Sequence, residues 1–237
     1  MDIKSNIKAS ILIKSIAIAS SIYGIIKTYF GPLSFTYFTT LSNIFMSIIL
    51  LVFLVKDVYF LLKKKKIQFK NYLYIVKFLA TISITLTFFV FLTILAPTLD
   101  GGIINAYLGN GAGSLCVHFI TPILSIIDFL LFDYEYKSRK YHSIYGIIPP
   151  LSYVLLIMIA SLLGLRWGSM YAPYNFLNYG APTGWFGFDT SILGWESLGI
   201  GVFYMIVLLS LLFILIGALF LGLKNKINNK LERINHE

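Results

Sequence analysis

The sequence predicts an all-α integral membrane protein, a bundle of six transmembrane helices with both termini cytoplasmic. Three observations carry this. Of 237 residues, 58% are hydrophobic and only 12% are charged, and mean hydropathy is +0.83, whereas a soluble domain carries about 25% charge. Apolar runs of the roughly 20 residues that a spanning helix needs recur six times. Finally, fourteen of the 19 lysines and arginines fall in segments that six alternating spans place on one side.

The first run, 9–28, is broken by Lys14 ahead of Ala17-Ile18-Ala19, a stretch that resembles a cleavage site. A charge at that place argues for a retained span rather than a signal peptide. The second run is 37–62 and the third 73–97. The fourth, 113–134, opens after the turn Gly109-Asn110-Gly111-Ala112-Gly113. The fifth is 143–165 and the sixth 197–223. Connections are short except for 166–196. No repeat or long linker divides the chain, so residues 1–237 read as one six-span membrane domain.

The basic residues orient the bundle. Lys4 and Lys8 precede the first span, and Lys63, Lys64, Lys65, Lys66 and Lys70 follow the second. Lys137, Arg139 and Lys140 follow the fourth, and Lys224, Lys226, Lys230 and Arg233 follow the sixth. The opposite side holds only Lys27 and Arg166. Basic loops stay in the cytoplasm, so a multi-pass protein of the cell membrane is expected. The formal charge of +9 is then topology, with anionic-lipid contact at Lys63–Lys66, rather than a nucleic-acid signal. Composition also excludes a large soluble catalytic domain. Cys116 is the single cysteine, which excludes a disulfide scaffold.

Function must rest on polar residues inside the spans, which are costly in lipid and face the bundle interior. In the second span, Thr39, Ser42, Asn43 and Met46 share one helical face. Such a face serves either helix–helix hydrogen bonding or chemistry. In the fourth span, Ser114, His118, Thr121, Ser125 and Asp128 form a continuous seam. Pro122 removes the helical partner of the His118 carbonyl and opens the backbone there. His118 is the one histidine within a span; His142 lies in a loop and His236 in the tail. It is either a neutral residue bonded to a neighbouring hydroxyl or a functional group. Thr39 and His118 fall at nearly the same depth, so a hydroxyl and an imidazole can form a nucleophile–base pair if their helices are neighbours.

Asp128 lies about 15 Å along the axis from His118, too far to orient it. It shares its depth with Lys14, Lys56 and Lys77, which predicts an inner ion-pair layer. Cys116 points to a different face from His118. No HxxxH or Glu-x-x-His pair supports a metal site. Backbone N–H groups of the Gly109–Gly113 segment suit an oxyanion or serve as a plain turn. The segment from Arg166-Trp167 through Tyr171-Ala172-Pro173-Tyr174-Asn175-Phe176-Leu177 to Trp185-Phe186 reads as an aromatic belt, or as a lid whose Tyr174 and Asn175 cover a cavity between spans two and four.

Three motifs in this order, Tyr37-Phe38-Thr39-Thr40-Leu41-Ser42-Asn43, His118-Phe119-Ile120-Thr121-Pro122-Ile123-Leu124 running to Asp128-Phe129, and Pro173-Tyr174-Asn175-Phe176-Leu177, resemble the prokaryotic six-span branch of the androgen-induced-gene-like membrane proteins. The resemblance covers most of the chain. Eukaryotic members of that androgen-dependent-regulator type are threonine hydrolases that cleave fatty acid esters of hydroxy fatty acids. The resemblance implies Thr39 as nucleophile and His118 as its histidine, with a membrane lipid or fatty-acyl ester as substrate and no cofactor. Thr40 is adjacent, but Thr39 shares its face with Asn43 while Thr40 points about 100° away. The leading expectation is an intramembrane lipid-ester hydrolase in which Asn43 or backbone N–H groups at the start of span four stabilise the oxyanion. The alternatives are a small transporter or channel using the Asp/Lys layer, and a non-catalytic membrane scaffold.

Overall fold

A chain this apolar has to satisfy its backbone polar groups internally, and helices do so within each segment. The structure is a computed structural model that describes residues 3–99, 101–109, 111–191 and 197–234. Asn110 and His236 lie outside the described residues, as do the side chains of Lys4 and Arg233. Six helices are long and apolar enough to cross a membrane: Asn6–Thr28, Phe38–Lys63, Asn71–Leu95, Gly113–Phe132, Lys140–Leu162 and Val202–Lys230. They are the first to sixth spans below. Among the described residues there are no strands, only two isolated bridges in the loop regions.

Two boundaries differ from expectation. The sixth helix begins at Val202, not 197, and runs on to Ile234. Gly199 adopts a positive φ of 73°, and a Cβ on Gly201 would lie 2.5 Å from the Trp185 carbonyl oxygen. The chain before Val202 is therefore held extended against the loop rather than coiled. The fifth helix stops at Leu162, short of 165. Gly164 takes φ 96°, and Leu165 N–H donates to Ala160 O at 3.0 Å, a left-handed helix end.

The third span runs through the middle of the bundle, with Ala80–Thr87 buried on all sides. Its hydroxyls are satisfied locally. Thr81, Ser83, Thr85 and Thr87 each donate to the carbonyl four residues earlier, so they add no demand on neighbouring helices. The other spans expose leucines and valines around the perimeter, such as Leu51, Val55, Leu155, Leu211 and Leu215. Spans one and four approach closely at two glycines. A Cβ on Gly24 would fall 2.5 Å from Val117 Cγ1, and one on Gly113 would fall 2.6 Å from Lys27 Cβ. Gly113 therefore serves close helix packing.

The charge layer fixes how the spans alternate. Lys14 pairs with Asp57 at 2.8 Å and with Asp128 at 2.7 Å. Lys77 pairs with Asp128 at 2.5 Å and with Asp133 at 2.6 Å. Lys14 is early in span one, Asp57 late in span two, Lys77 early in span three and Asp128 late in span four. One level can hold all of these only if consecutive spans run in opposite directions. Lys56 does not reach Asp128; it pairs with Glu135 at 2.6 Å, and Tyr74 donates to the same carboxylate. Lys224, counted from sequence among the basic residues that follow the sixth span, is fully buried. Its ammonium donates to Phe129 O at 2.8 Å and Leu130 O at 3.0 Å, capping the last turn of span four. This half of the bundle is its basic end; the opposite half holds the cavities.

Candidate functional site

The site is built where two helices depart from regular winding. In span three, Phe91–Leu95 forms a π-helical turn, with Ala96 N–H donating to Phe91 O five residues back. In span four, Cys116–Ile120 forms another, with Thr121 N–H donating to Cys116 O. Such turns are rare and concentrate at functional sites. Pro122, with no N–H, leaves the His118 carbonyl without its helical donor. The shifted Thr121 bond likewise frees Val117 O. Asn43 fills that second vacancy, its amide donating to Val117 O at 3.1 Å and to Thr39 O at 2.9 Å. Spans two and four are thus neighbours, tied at the level of the proposed pair.

Asn43 is fully buried and both of its N–H hydrogens are committed to backbone carbonyls. It therefore ties helices together and has no donor left for an oxyanion, contrary to that expectation. Ser42 is similar: it donates to Thr39 O and meets the Thr87 hydroxyl at 2.7 Å. Thr121 donates to Ser20 Oγ at 3.2 Å, joining spans four and one. Ser125 turns back to Thr121 O. Ser114 is partly exposed and lines neither cavity described below. Of the polar seam on span four, only His118 faces a cavity; Asp128 belongs to the charge layer.

The His118 ring stacks on Phe91, with centroids 3.6 Å apart and planes 12° from parallel. This fixes the plane of the imidazole. The ring also donates to the backbone carbonyl of Thr87, while Nδ1 has no hydrogen-bond partner. Nε2 therefore carries the proton, and Nδ1 keeps a free lone pair.

Thr39 lies in the first turn of span two, where backbone N–H groups have no helical partner. That helix has no side-chain cap of its own. Tyr174 supplies one from the loop after span five: Thr39 N–H donates to its hydroxyl at 3.3 Å, and Thr39 Oγ1 lies 3.5 Å from the same oxygen. The loop is pinned beside it, since Trp167 Nε1 donates to Thr36 Oγ1 at 2.8 Å. Burial pushes the Tyr174 phenol up to about 12, which keeps it protonated.

Thr39 and His118 line one cavity with an empty volume of about 850 Å³, its open mouth included. Pro173, Tyr174, Asn175 and Met170 of the loop form part of its wall, as a lid would. Asn175 also accepts the Phe176 N–H at 2.8 Å, a turn that holds Tyr174 and Asn175 in place. Thr40 lines this cavity too, but Thr39 alone of the two also lines a second one. The Thr39 hydroxyl meets Tyr174, and no direct hydrogen bond to His118 is formed among the described residues. Cys116 packs on the opposite side, against Gly24. Sequence reasoning missed Phe91, the Thr87 carbonyl and the pairing of the two irregular turns; Pro122 was the one local signal for them. No protein-family model, curated protein or solved structure matches the chain.

Proposed function

We propose that this protein is an intramembrane lipid-ester hydrolase with Thr39 as nucleophile and His118 as general base. One observation carries the reading: Thr39 and His118, whose buried Nδ1 has no hydrogen-bond partner, line a single cavity that also has apolar walls. The resemblance to the androgen-induced-gene-like threonine hydrolases assigns the same two residues. Catalytic hydrogen bonds are often long without substrate, so a pair separated across an empty cavity is compatible with the role.

The chemistry follows from the contacts. The Thr39 and Tyr174 hydroxyls stand 3.5 Å apart, and in the reaction Tyr174 donates its hydrogen to Thr39 Oγ1. That leaves the Thr39 hydrogen for the base. Nδ1 of His118 takes this proton as Oγ1 attacks the ester carbonyl. The first-turn N–H groups of span two, that of Thr40 among them, and the positive end of its dipole stabilise the oxyanion. The alcohol leaves with the proton from the imidazolium. Water, deprotonated by His118, then cleaves the acyl-Thr39 ester, releasing the fatty acid and restoring the hydroxyl. A base so placed contributes about 10²–10⁴-fold.

The six spans and the basic distribution support an orientation with both termini in the cytoplasm of a cell-membrane protein, in which the cavity opens in the outer leaflet. Transport through the charge layer has less support, because Lys14 and Lys77 already compensate Asp57, Asp128 and Asp133. The test is labelling of the purified protein with a fluorophosphonate, followed by peptide mapping. Modification at Thr39, lost in His118→Ala, supports the mechanism. An unreactive Thr39 in a folded protein rules it out. Impermeant thiol labelling in intact cells of a cysteine at Asn178, and not of one at Lys65, tests the orientation.

A further inference from the structure

A second cavity, about 570 Å³ in empty volume, adjoins the first. Four residues line both: Thr39, Phe91, Leu95 and Tyr174. The Thr39 hydroxyl therefore sits in the partition between a wider chamber with His118 in its wall and a second, strongly apolar one. The apolar chamber descends from Thr39 between spans three, five and six. On span three its lining runs from Leu95 to Leu86, nine residues and about 14 Å of helix, with Thr87 at the level of Ser42, about one turn below Thr39.

The polar groups in its wall are mostly turned to other partners. Tyr153 donates to Thr36 O at 2.9 Å, and Thr87 is bonded to Ser42 at 2.7 Å. The hydroxyls of Thr39 and Tyr174 meet at one end, and Ser210 on span six adds a third. Burial is just as uneven. Leu86, Val90 and Leu177 are buried, whereas Leu151 on span five is 39% exposed and Leu209 on span six is partly exposed. The chamber thus has a closed side against spans two and three and an open side between spans five and six, where the perimeter faces lipid.

We propose that this chamber is an acyl-chain site entered sideways from the bilayer between spans five and six, seating the chain with its carbonyl at Thr39. The occupant is a long saturated or unsaturated fatty-acyl chain. The lining is predominantly apolar, and the mouth lies between two helices long and apolar enough to cross a membrane. The alcohol part of the ester then lies in the wider cavity beside His118. The carbonyl chemistry rests on the hydrolase reading; the binding of the chain does not.

The experiment separates the two. The full chain is reconstituted in phosphatidylcholine vesicles with palmitic acid carrying a mid-chain diazirine, then irradiated and mapped. Crosslinks at Leu86, Val90 or Leu177, lost in Leu209→Trp while perimeter labelling at Leu155 or Leu208 persists, are expected. Labelling confined to the perimeter, or chamber labelling unchanged in Leu209→Trp, overturns the proposal. Val154→Trp serves if Leu209→Trp does not fold. In parallel, Leu209→Trp is expected to lower cleavage of a palmitoyl ester by about tenfold or more while leaving a butyryl ester near the unsubstituted rate, since only the long chain needs the chamber. Chamber crosslinks without any ester cleavage retain the binding site and remove the hydrolase. Ester cleavage at Thr39 with equal loss for both chain lengths retains the hydrolase and removes the chamber.

Discussion

At the basic end of the bundle, three buried carboxylates and two buried lysines stand within 2.5–2.8 Å of one another in pairs. A third buried lysine caps the carbonyls of span four. At the cavity end, some 15 Å away along span four, His118 Nδ1 and Asn43 Oδ1 are buried without a partner. Both regions place polar groups inside an apolar bundle, where an unpaired group costs free energy. At one end every carboxylate is met by a lysine, and Lys224 by backbone carbonyls; at the other, a buried ring nitrogen of a cavity-lining residue is left without a partner. Compensated polar groups hold helices in register. An uncompensated one, fixed in plane by stacking on Phe91, is where the fold tolerates a cost that packing alone does not explain.

The comparison breaks most visibly under substitution at Thr39. Thr39→Ala is expected to lower ester turnover by about 10⁴-fold or more, equivalent to at least ~5 kcal/mol of barrier. Because Thr39 is only half-buried at a cavity wall, its thermal unfolding in detergent should change by less than about 1 kcal/mol. Thr40→Ala should keep most of the activity. A Thr39→Ala protein that remains fully active removes the contrast between the two ends.

Asp128→Ala should show the opposite profile. It removes the carboxylate that Lys14 and Lys77 share, leaving each with one partner, Asp57 or Asp133, and breaking a buried pair costs up to about 3–5 kcal/mol. The readout is folded yield and unfolding temperature in detergent, with turnover per folded molecule preserved. An unchanged unfolding temperature would show that the layer does not hold the bundle together.

Asn43→Ala tests the border between the regions. It leaves the Val117 carbonyl without the side-chain donor, while Thr39 O keeps that of Ser42, at about 1–3 kcal/mol. It also releases the tie between the two helices that carry the reactive pair. Both stability and turnover should fall, unlike either previous variant. A loss of stability alone would mean that the helices stay aligned without it.

The six spans were legible because their length and apolar content are properties of each segment alone. The seam on span four was legible as a face, yet its members separate in the fold: His118 goes to a cavity, Thr121 to Ser20, Asp128 to two lysines. Helical spacing states which residues share a side but not what stands opposite. Asp57, Asp133 and Glu135 escaped notice because they sit near helix ends, where a charge reads as solvated. Lys224 was counted only as one of the basic residues after the sixth span, although it bends inward to the end of span four. The irregular turn at Phe91 has no proline of its own before Pro97 to announce it. Its stacking on His118 joins residues 27 positions apart, a tertiary fact that local pattern does not carry.

The smallest expected effect refines the picture at the basic end, where compensation is graded by depth. Glu135 lies outside the spans and is partly exposed, its side chain 27% accessible. Burial pushes its carboxyl up, but hydrogen bonds from Lys56 and Tyr74, with the charge of Lys56, outweigh this and hold it below the ordinary 4.5. A carboxylate with a lowered folded value adds stability above its unfolded value, and loses it as pH falls through the folded one. The pair should therefore contribute near neutral pH and vanish in acid. Water screens a partly exposed pair, so the contribution is about 0.2–1 kcal/mol. Glu135→Gln should unfold slightly below the unsubstituted protein at about pH 7, and the gap should close as pH falls through the lowered folded value, below which both side chains are neutral. Asp128, sealed between two lysines, should keep most of its effect over the same range. A Glu135→Gln deficit that persists unchanged into acid would mean that the side chain acts through packing, and the grading of the layer by depth would have to be given up.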